Sequence, residues 1–313
     1  MQIATVGQSG LRVSRIGLGC SNLGAQVTGS DAHNLVHAAT DAGVTLFDTA
    51  DAYSGGESER LLGQALRDRR DSVVIASKFR HSLSTPGAGR KAIKLAVEGS
   101  LARLGTDYID LYQLHGHDPA TPLEETVGAL QALIEQGKIL YCGVCNLTSW
   151  QVADAHHLAA QVGGRLTAVQ MQLSLLDWRR LVEFEPVAAR FGLGMLAASP
   201  LARGLLGGRY SSHDPPPPGH PLLSGKGLGY WNDDGFATVG RLRALGLRRS
   251  VSPARLAIAA LLSRRDVAAA LVGASSPQQI VDACSAAADP FSGDDLRDLL
   301  GRTPARPSPA AGD

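Results

Sequence analysis

Aromatic residues are scarce in this chain. Three Trp, six Tyr and six Phe supply 5% of 313 residues, while hydrophobic residues as a whole supply 44%. Ala, Leu, Val and Ile must therefore fill the core, as suits a large α/β protein with close helix–sheet contacts. Net charge is scarce as well. Thirty Lys and Arg stand against 29 Asp and Glu, a balance of +1. The long-range attraction that draws a basic protein to nucleic acid or to an acidic membrane is missing. No uninterrupted apolar run approaches the roughly 18 residues of a membrane span. The opening stretch, residues 1–7, has no basic start followed by an apolar segment and does not read as a signal peptide. Four cysteines, Cys20, Cys142, Cys145 and Cys284, are scattered along the chain. They form no disulfide framework, and a cytoplasmic protein is expected. Cys142 and Cys145 match C-x-x-C. On a strand, however, positions three apart face opposite sides, so the pair reads as two small core residues.

What the chain has is a rhythm. Short apolar runs at 16–20, 44–49, 73–78, 108–115, 139–145, 166–172, 193–199 and 267–273 alternate with longer helix-like segments. Most runs are continuous, as expected of parallel strands buried on both faces. Helix starts are read at Ser30-Asp31, Thr148-Ser149 and Ser252-Pro253, and helix ends at Gly43, Gly105, Gly137 and Gly192. Eight strands alternating with helices point to a single α/β domain, a (β/α)8 TIM barrel, over residues 1–302. A doubly wound sheet would need a glycine-rich turn after its first strand, and Ser21-Asn22-Leu23-Gly24 is not one. Residues 6–16 read as an N-terminal β-hairpin that plugs one barrel end. The Pro- and Gly-rich stretch 209–235 is a long loop after strand 7, on the rim where active sites sit. Residues 303–313 read as a flexible C-terminal tail.

Catalytic groups in such barrels lie at the C-terminal ends of strands. Asp48, Lys78 and His115 each close an otherwise apolar run on three successive strands, so they converge, and Tyr53 follows just after Asp48. A lysine ammonium held by Asp48 would lower the pKa of the Tyr53 phenol and make it a proton donor. His115 would orient a carbonyl. That set polarises C=O but brings no hydride, so a cofactor must.

The stretches Phe47-Asp-Thr-Ala-Asp-Ala-Tyr53, Ala76-Ser-Lys-Phe79, the run from Leu101 to His115, Gly143-Val-Cys-Asn146, the run from Ser199 to Gly208, and Gly273-Ala-Ser-Ser-Pro-Gln-Gln-Ile280 are found in order. Over about residues 6–287 the chain resembles the aldo-keto reductase superfamily. The resemblance implies a (β/α)8 barrel, NADPH as cofactor with NADH as an alternative, and reduction of a small-molecule carbonyl substrate. It implies the catalytic set Asp48, Tyr53, Lys78 and His115. For the cofactor it implies Cys145, Asn146 and Gln170 at the nicotinamide, and Ser199, Leu201, Arg203 and Gly204 along the pyrophosphate. Gly273, Ser275 and Gln279 would lie at the adenosine phosphate. Cys145 stands where the family usually has Ser, and Ala198 where many relatives have a stacking aromatic. The last loop carries no cation, so only a modest preference for NADPH over NADH is expected.

Two other function classes fit the same residues. A lysine at a barrel strand end suits a Schiff-base aldolase. The superfamily also includes cofactor-holding potassium-channel β-subunits. A keto sugar or a natural-product ketone suits the long rim loop as substrate. His115 and His117 form H-x-H, but further metal ligands are lacking and no metal is expected. Trp150 reads as a packing residue on the fifth helix, His156 and His157 as a solvated helix surface, and Trp178, Tyr230 and Trp231 as rim residues for substrate contact.

Overall fold

The computed structural model describes residues 1–301 apart from 83, 224 and 290; the tail expected at 303–313 lies outside the described residues. The chain opens on an antiparallel hairpin, β1 (Ile3–Thr5) and β2 (Arg12–Ser14). Eight parallel strands then close on themselves: β3 (Ile16–Gly19), β4 (Leu46–Asp48), β5 (Val74–Phe79), β6 (Ile109–Leu114), β7 (Ile139–Cys145), β8 (Ala168–Gln172), β9 (Gly194–Ala198) and β10 (Val267–Gly273). Each falls on one of the eight apolar runs, and β10 pairs with both β9 and β3 to complete the barrel.

The intervening helices are α1 (Gly29–Asp41), α2 (Glu57–Leu66), α3 (Arg90–Leu104), α4 (Leu123–Glu135), α5 (Ser149–Gln161), α6 (Trp178–Phe191), α7 (Asp233–Arg249), α8 (Pro253–Leu262), α9 (Pro277–Ser285) and α10 (Gly293–Leu300). Gly105 and Gly192 end α3 and α6 in the left-handed conformation. Ser252 caps α8 by accepting the Arg255 amide, with Pro253 in the first turn. The first helix starts earlier than its Ser30-Asp31 signal, at Gly29 behind an extended Thr28.

Two apolar layers hold the barrel. Leu46, Ala76, Leu111, Ala168, Leu196 and Ala269 fill the lumen, and Val6, Leu11 and Val13 of the hairpin pack onto them. The contact is close at β9. A Cβ on Gly7 would meet the Gly192 carbonyl oxygen at 2.3 Å, and one on Gly194 would meet Val6 Cγ1 at 2.5 Å. The hairpin thus seals the barrel at the N-terminal ends of its strands. Outside the strands, the larger layer packs strand residues such as Ile75, Tyr112 and Val169 against helix residues such as Leu62, Val97 and Leu181.

The segment after β9 carries more structure than the sequence suggested. The rim segment leads into α7, which sits on α8 and α10 through Leu205, Leu242, Leu256 and Leu296. Asn232 caps α7 by accepting the Gly235 amide at 2.9 Å. Trp231 packs edge-on against Phe236. The Tyr230 hydroxyl bonds Gln172 and Asp177. Trp178 opens α6 under the Arg264 guanidinium. Tyr230 thus ties the rim segment to β8 and to the residue that precedes α6. Trp150 corrects the sequence reading: it is 65% exposed rather than packed. His156 is half-buried against the Phe191 ring rather than solvated, while His157 is exposed.

Candidate active site

Strand order decides what meets at the barrel mouth. β4, β5 and β6 are neighbours, with Asp48 opposite Ala76 and Lys78 opposite Gln113. Lys78 is fully buried. Its Nζ donates to Asp48 Oδ2 at 2.6 Å, to the Thr49 carbonyl at 2.7 Å and to the Tyr53 hydroxyl at 3.4 Å. The other oxygen of Asp48 accepts from Gln170 Nε2 at 2.7 Å. A buried ion pair needs such additional bonds to hold its charges. The Lys78 pKa is pushed up: burial alone would lower it, but Asp48 and Tyr53 outweigh that.

Tyr53 rides on a short turn fixed at both ends. Its amide bonds the Ala50 carbonyl, Ser54 Oγ reaches the Leu23 carbonyl, and Ser58 Oγ bonds both Thr49 Oγ1 and the Cys20 carbonyl. The phenol lies edge-on to His115, with ring centroids 5.7 Å apart. The pKa shift of Tyr53 corrects the sequence expectation. Burial raises it, and Lys78 opposes that without overcoming it. The ammonium is already committed to Asp48 and Thr49 at shorter distances than to the phenol. His115 is held neutral, its pKa lowered to about 3 by burial first and then by Lys78, His81 and Arg80.

The residues expected at the nicotinamide gather beside this unit. Gln170 links to Asp48, Cys145 Sγ donates to Gln170 Oε1 at 3.3 Å, and Asn146 Nδ2 bonds the His115 carbonyl and Cys145 Sγ. Cys142 faces the other way, toward the Arg165 carbonyl, so the C-x-x-C pair is split across the strand. Ser199, Leu201, Arg203, Gly204, Gly273, Ser275 and Gln279 all line one cavity of about 450 Å³. Ser275 is bonded through both its amide and its hydroxyl to Gln279 Oε1.

Several site residues were not legible from the sequence. His220 and Asp282 line the same cavity, and the guanidinium that the last loop lacks is brought there by Arg209. Asp51 is buried, with neither carboxylate oxygen hydrogen-bonded. Burial and the neighbouring Glu59 raise its pKa to about 7, against the pull of Arg103. Glu59 itself is bonded by Arg103 Nε at 2.7 Å and Ser77 Oγ at 2.5 Å. Acidic residues after a strand gave no sign of which would be buried. His117 turns away from the mouth to line a crease beside Trp150 and Asp154. Among the described residues no three His, Cys, Asp or Glu side chains gather as metal ligands, and no helix is long and apolar enough to cross a membrane.

A closed parallel barrel thus carries a buried Asp–Lys–Tyr unit beside a histidine at its mouth. The chain belongs to the aldo/keto reductase family, whose model matches residues 15–300. It is 35% identical to a protein of Oryza sativa subsp. japonica described as a probable voltage-gated potassium channel subunit beta, over 90% of each chain. It is 31% identical to probable aldo-keto reductase 1 of Glycine max, over 97% of this chain and 89% of that one. An Arabidopsis thaliana protein, also described as a probable voltage-gated potassium channel subunit beta, is 32% identical over 90% of this chain and 89% of its own. Members of this enzyme family typically use NADPH.

Proposed function

We propose that this protein reduces an aldehyde or ketone to the alcohol. The observation that carries the reading is the buried Lys78 ammonium, held 2.6 Å from Asp48 and 3.4 Å from the Tyr53 hydroxyl. The cofactor-lining residues fit a nicotinamide dinucleotide. Arg203 and Arg209 offer cations to phosphates, and Arg203 Nε is buried with no partner. Bound there, NADPH or NADH supplies the hydride.

The chain's own residues do the rest. His115, neutral, hydrogen-bonds the carbonyl oxygen and fixes its position. Tyr53 donates its hydroxyl proton to that oxygen as the carbonyl carbon is reduced. Lys78 stabilises the phenolate left behind, Asp48 keeps Lys78 charged, and solvent returns the proton to Tyr53. Asn146 and Gln170 would hold the carboxamide of that cofactor. The same ion pair argues against a Schiff-base enzyme, because an ammonium bound by a carboxylate is not a nucleophile.

The test is oxidation of NADPH with a panel of aldehydes, quinones and keto sugars. Tyr53→Phe keeps the ring and removes the proton donor. It is expected to lower kcat at least about 10²-fold with cofactor affinity little changed. A Tyr53→Phe enzyme with normal turnover assigns the acid elsewhere. The names of the rice and Arabidopsis relatives favour a second reading, a cofactor-holding channel subunit. Cofactor binding without turnover on any carbonyl supports that reading instead.

A further inference from the structure

Just beyond Lys78, the chain sets a second cation at the mouth, Arg80, and among the described residues it has no direct ion-pair partner. Arg80 follows the end of β5 with φ 107°, a conformation that L residues rarely adopt. Its Nη1 donates to the His81 imidazole at 2.9 Å. A guanidinium only donates, so the imidazole nitrogen must accept and His81 is neutral there. Arg80 Nε is buried with no partner. His81 in turn lies edge-on to His115, ring centroids 5.1 Å apart, and His115 lies edge-on to Tyr53. His115 Nδ1 is also buried without a partner.

The two cations at this point differ in their partners. Lys78 is offset by Asp48. Among the described residues Arg80 has no carboxylate within ion-pair distance. Asp118 is the carboxylate that feels its field, and its oxygens are taken by the Ala88 and Ala120 amides and the Thr121 hydroxyl. A strained arginine bonded to a neutral imidazole, with a buried N–H left over, is arranged for an oxyanion. Strain of this kind points toward function when the outlier is observed first.

We propose that Arg80, with His81, binds an anionic group of the substrate. The substrate class is then a carbonyl compound carrying a carboxylate or phosphate a few bonds from the reacting carbon. The inference rests on the carbonyl-reductase reading above. A carboxylate or phosphate oxygen pair takes the guanidinium fork, displacing the imidazole from Nη1.

The experiment compares matched aldehydes with NADPH: succinic semialdehyde against butanal for a carboxylate, and glyceraldehyde 3-phosphate against glyceraldehyde for a phosphate. The wild type is expected to favour at least one anionic member by about 10-fold or more in kcat/KM, carried by KM. Arg80→Gly relieves the backbone, so the fold is kept, yet that ratio should fall to about one; Arg80→Lys should retain part of it. Turnover of butanal with no anionic preference overturns the inference and leaves the reductase reading intact. No NADPH oxidation with any carbonyl overturns the reductase reading. The anion site is then read by calorimetry with succinate and NADP+. Weaker binding to Arg80→Gly than to wild type supports the site, and equal binding overturns it.

Discussion

The two ends of the barrel solve opposite problems with the same chain. At the N-terminal end the hairpin presses its backbone against β9, and the positive φ needed there falls on Gly7. Around the C-terminal mouth and its cavity, Ser54, Arg80, Asn146, Ser199, Ala202 and Arg203 take positive φ although none is glycine. Each such residue costs about 1–3 kcal/mol, a cost that glycine avoids. A closing plug needs only backbone, so glycine serves. A site needs side chains, so strain is tolerated where Arg80, Asn146 and Arg203 must project their polar groups. Buried side-chain atoms without a partner lie at the mouth on Arg80, His115 and Arg203, and at the hairpin end on Arg15.

The sharpest way to break the mouth is Lys78→Met. It removes the cation while keeping most of the volume, and it leaves Asp48 buried beside Gln170 alone. Stability should fall by about 3–5 kcal/mol, because an unpaired buried charge is not compensated, and carbonyl reduction should be lost. Denaturant unfolding and steady-state kinetics check both. A stable, active Lys78→Met protein would mean that the mouth does not depend on this ion pair.

A smaller effect comes from Asp51, close behind Tyr53. Its folded-state pKa is raised to about 7, against about 3.9 in an unfolded chain. The folded state therefore binds the proton more tightly. The stability that Asp51 contributes is fully present below about pH 4 and lost as the pH rises through about 7. Between pH 5 and 8 the wild type should lose up to about 3 kcal/mol that Asp51→Asn does not lose. Melting curves across that range should separate with rising pH in favour of the variant. Parallel curves would show that Asp51 titrates normally.

The sequence carried one end of the comparison better than the other. The strands were legible because parallel strands buried on both faces are continuous apolar runs. Asp48, Lys78 and His115 stood out as polar endings to three of them. The hairpin was legible from Gly7, Gly10 and the flanking Val6 and Val13. Helix α7 was hidden, since Gly235, Gly240 and Gly246 weaken its helical signature. Two of these glycines are demanded by packing: a Cβ on Gly235 would meet the Tyr230 carbonyl oxygen at 2.2 Å, and one on Gly246 the Val251 carbonyl oxygen at 2.6 Å. Trp150 was misread because an aromatic on a helix is usually packed, and its exposure depends on which face α5 turns to the strands. Arg80, Asp51 and the rise in the Tyr53 pKa depend on burial and on pairings between distant residues, which spacing does not encode.

The smallest expected effect tests whether the two ends are independent. Gly194→Ala adds one methyl at the start of β9, at a position with no unusual φ. That methyl would lie 2.6 Å from the Gly7 amide nitrogen and 2.5 Å from Val6 Cγ1, so the hairpin must move away. Overpacking of this kind costs about 2 kcal/mol, several degrees in melting temperature. The lumen between the ends is filled by Leu46, Leu111 and Leu196, which need not shift when the plug lifts. Kinetics at the mouth, measured well below the melting temperature, should then match the wild type in both kcat and KM. A drop in kcat of about 10-fold or more would mean that displacement of the hairpin travels through the lumen to Lys78 and Tyr53. The barrel would then be one mechanical unit rather than a plug and a site built on a common frame.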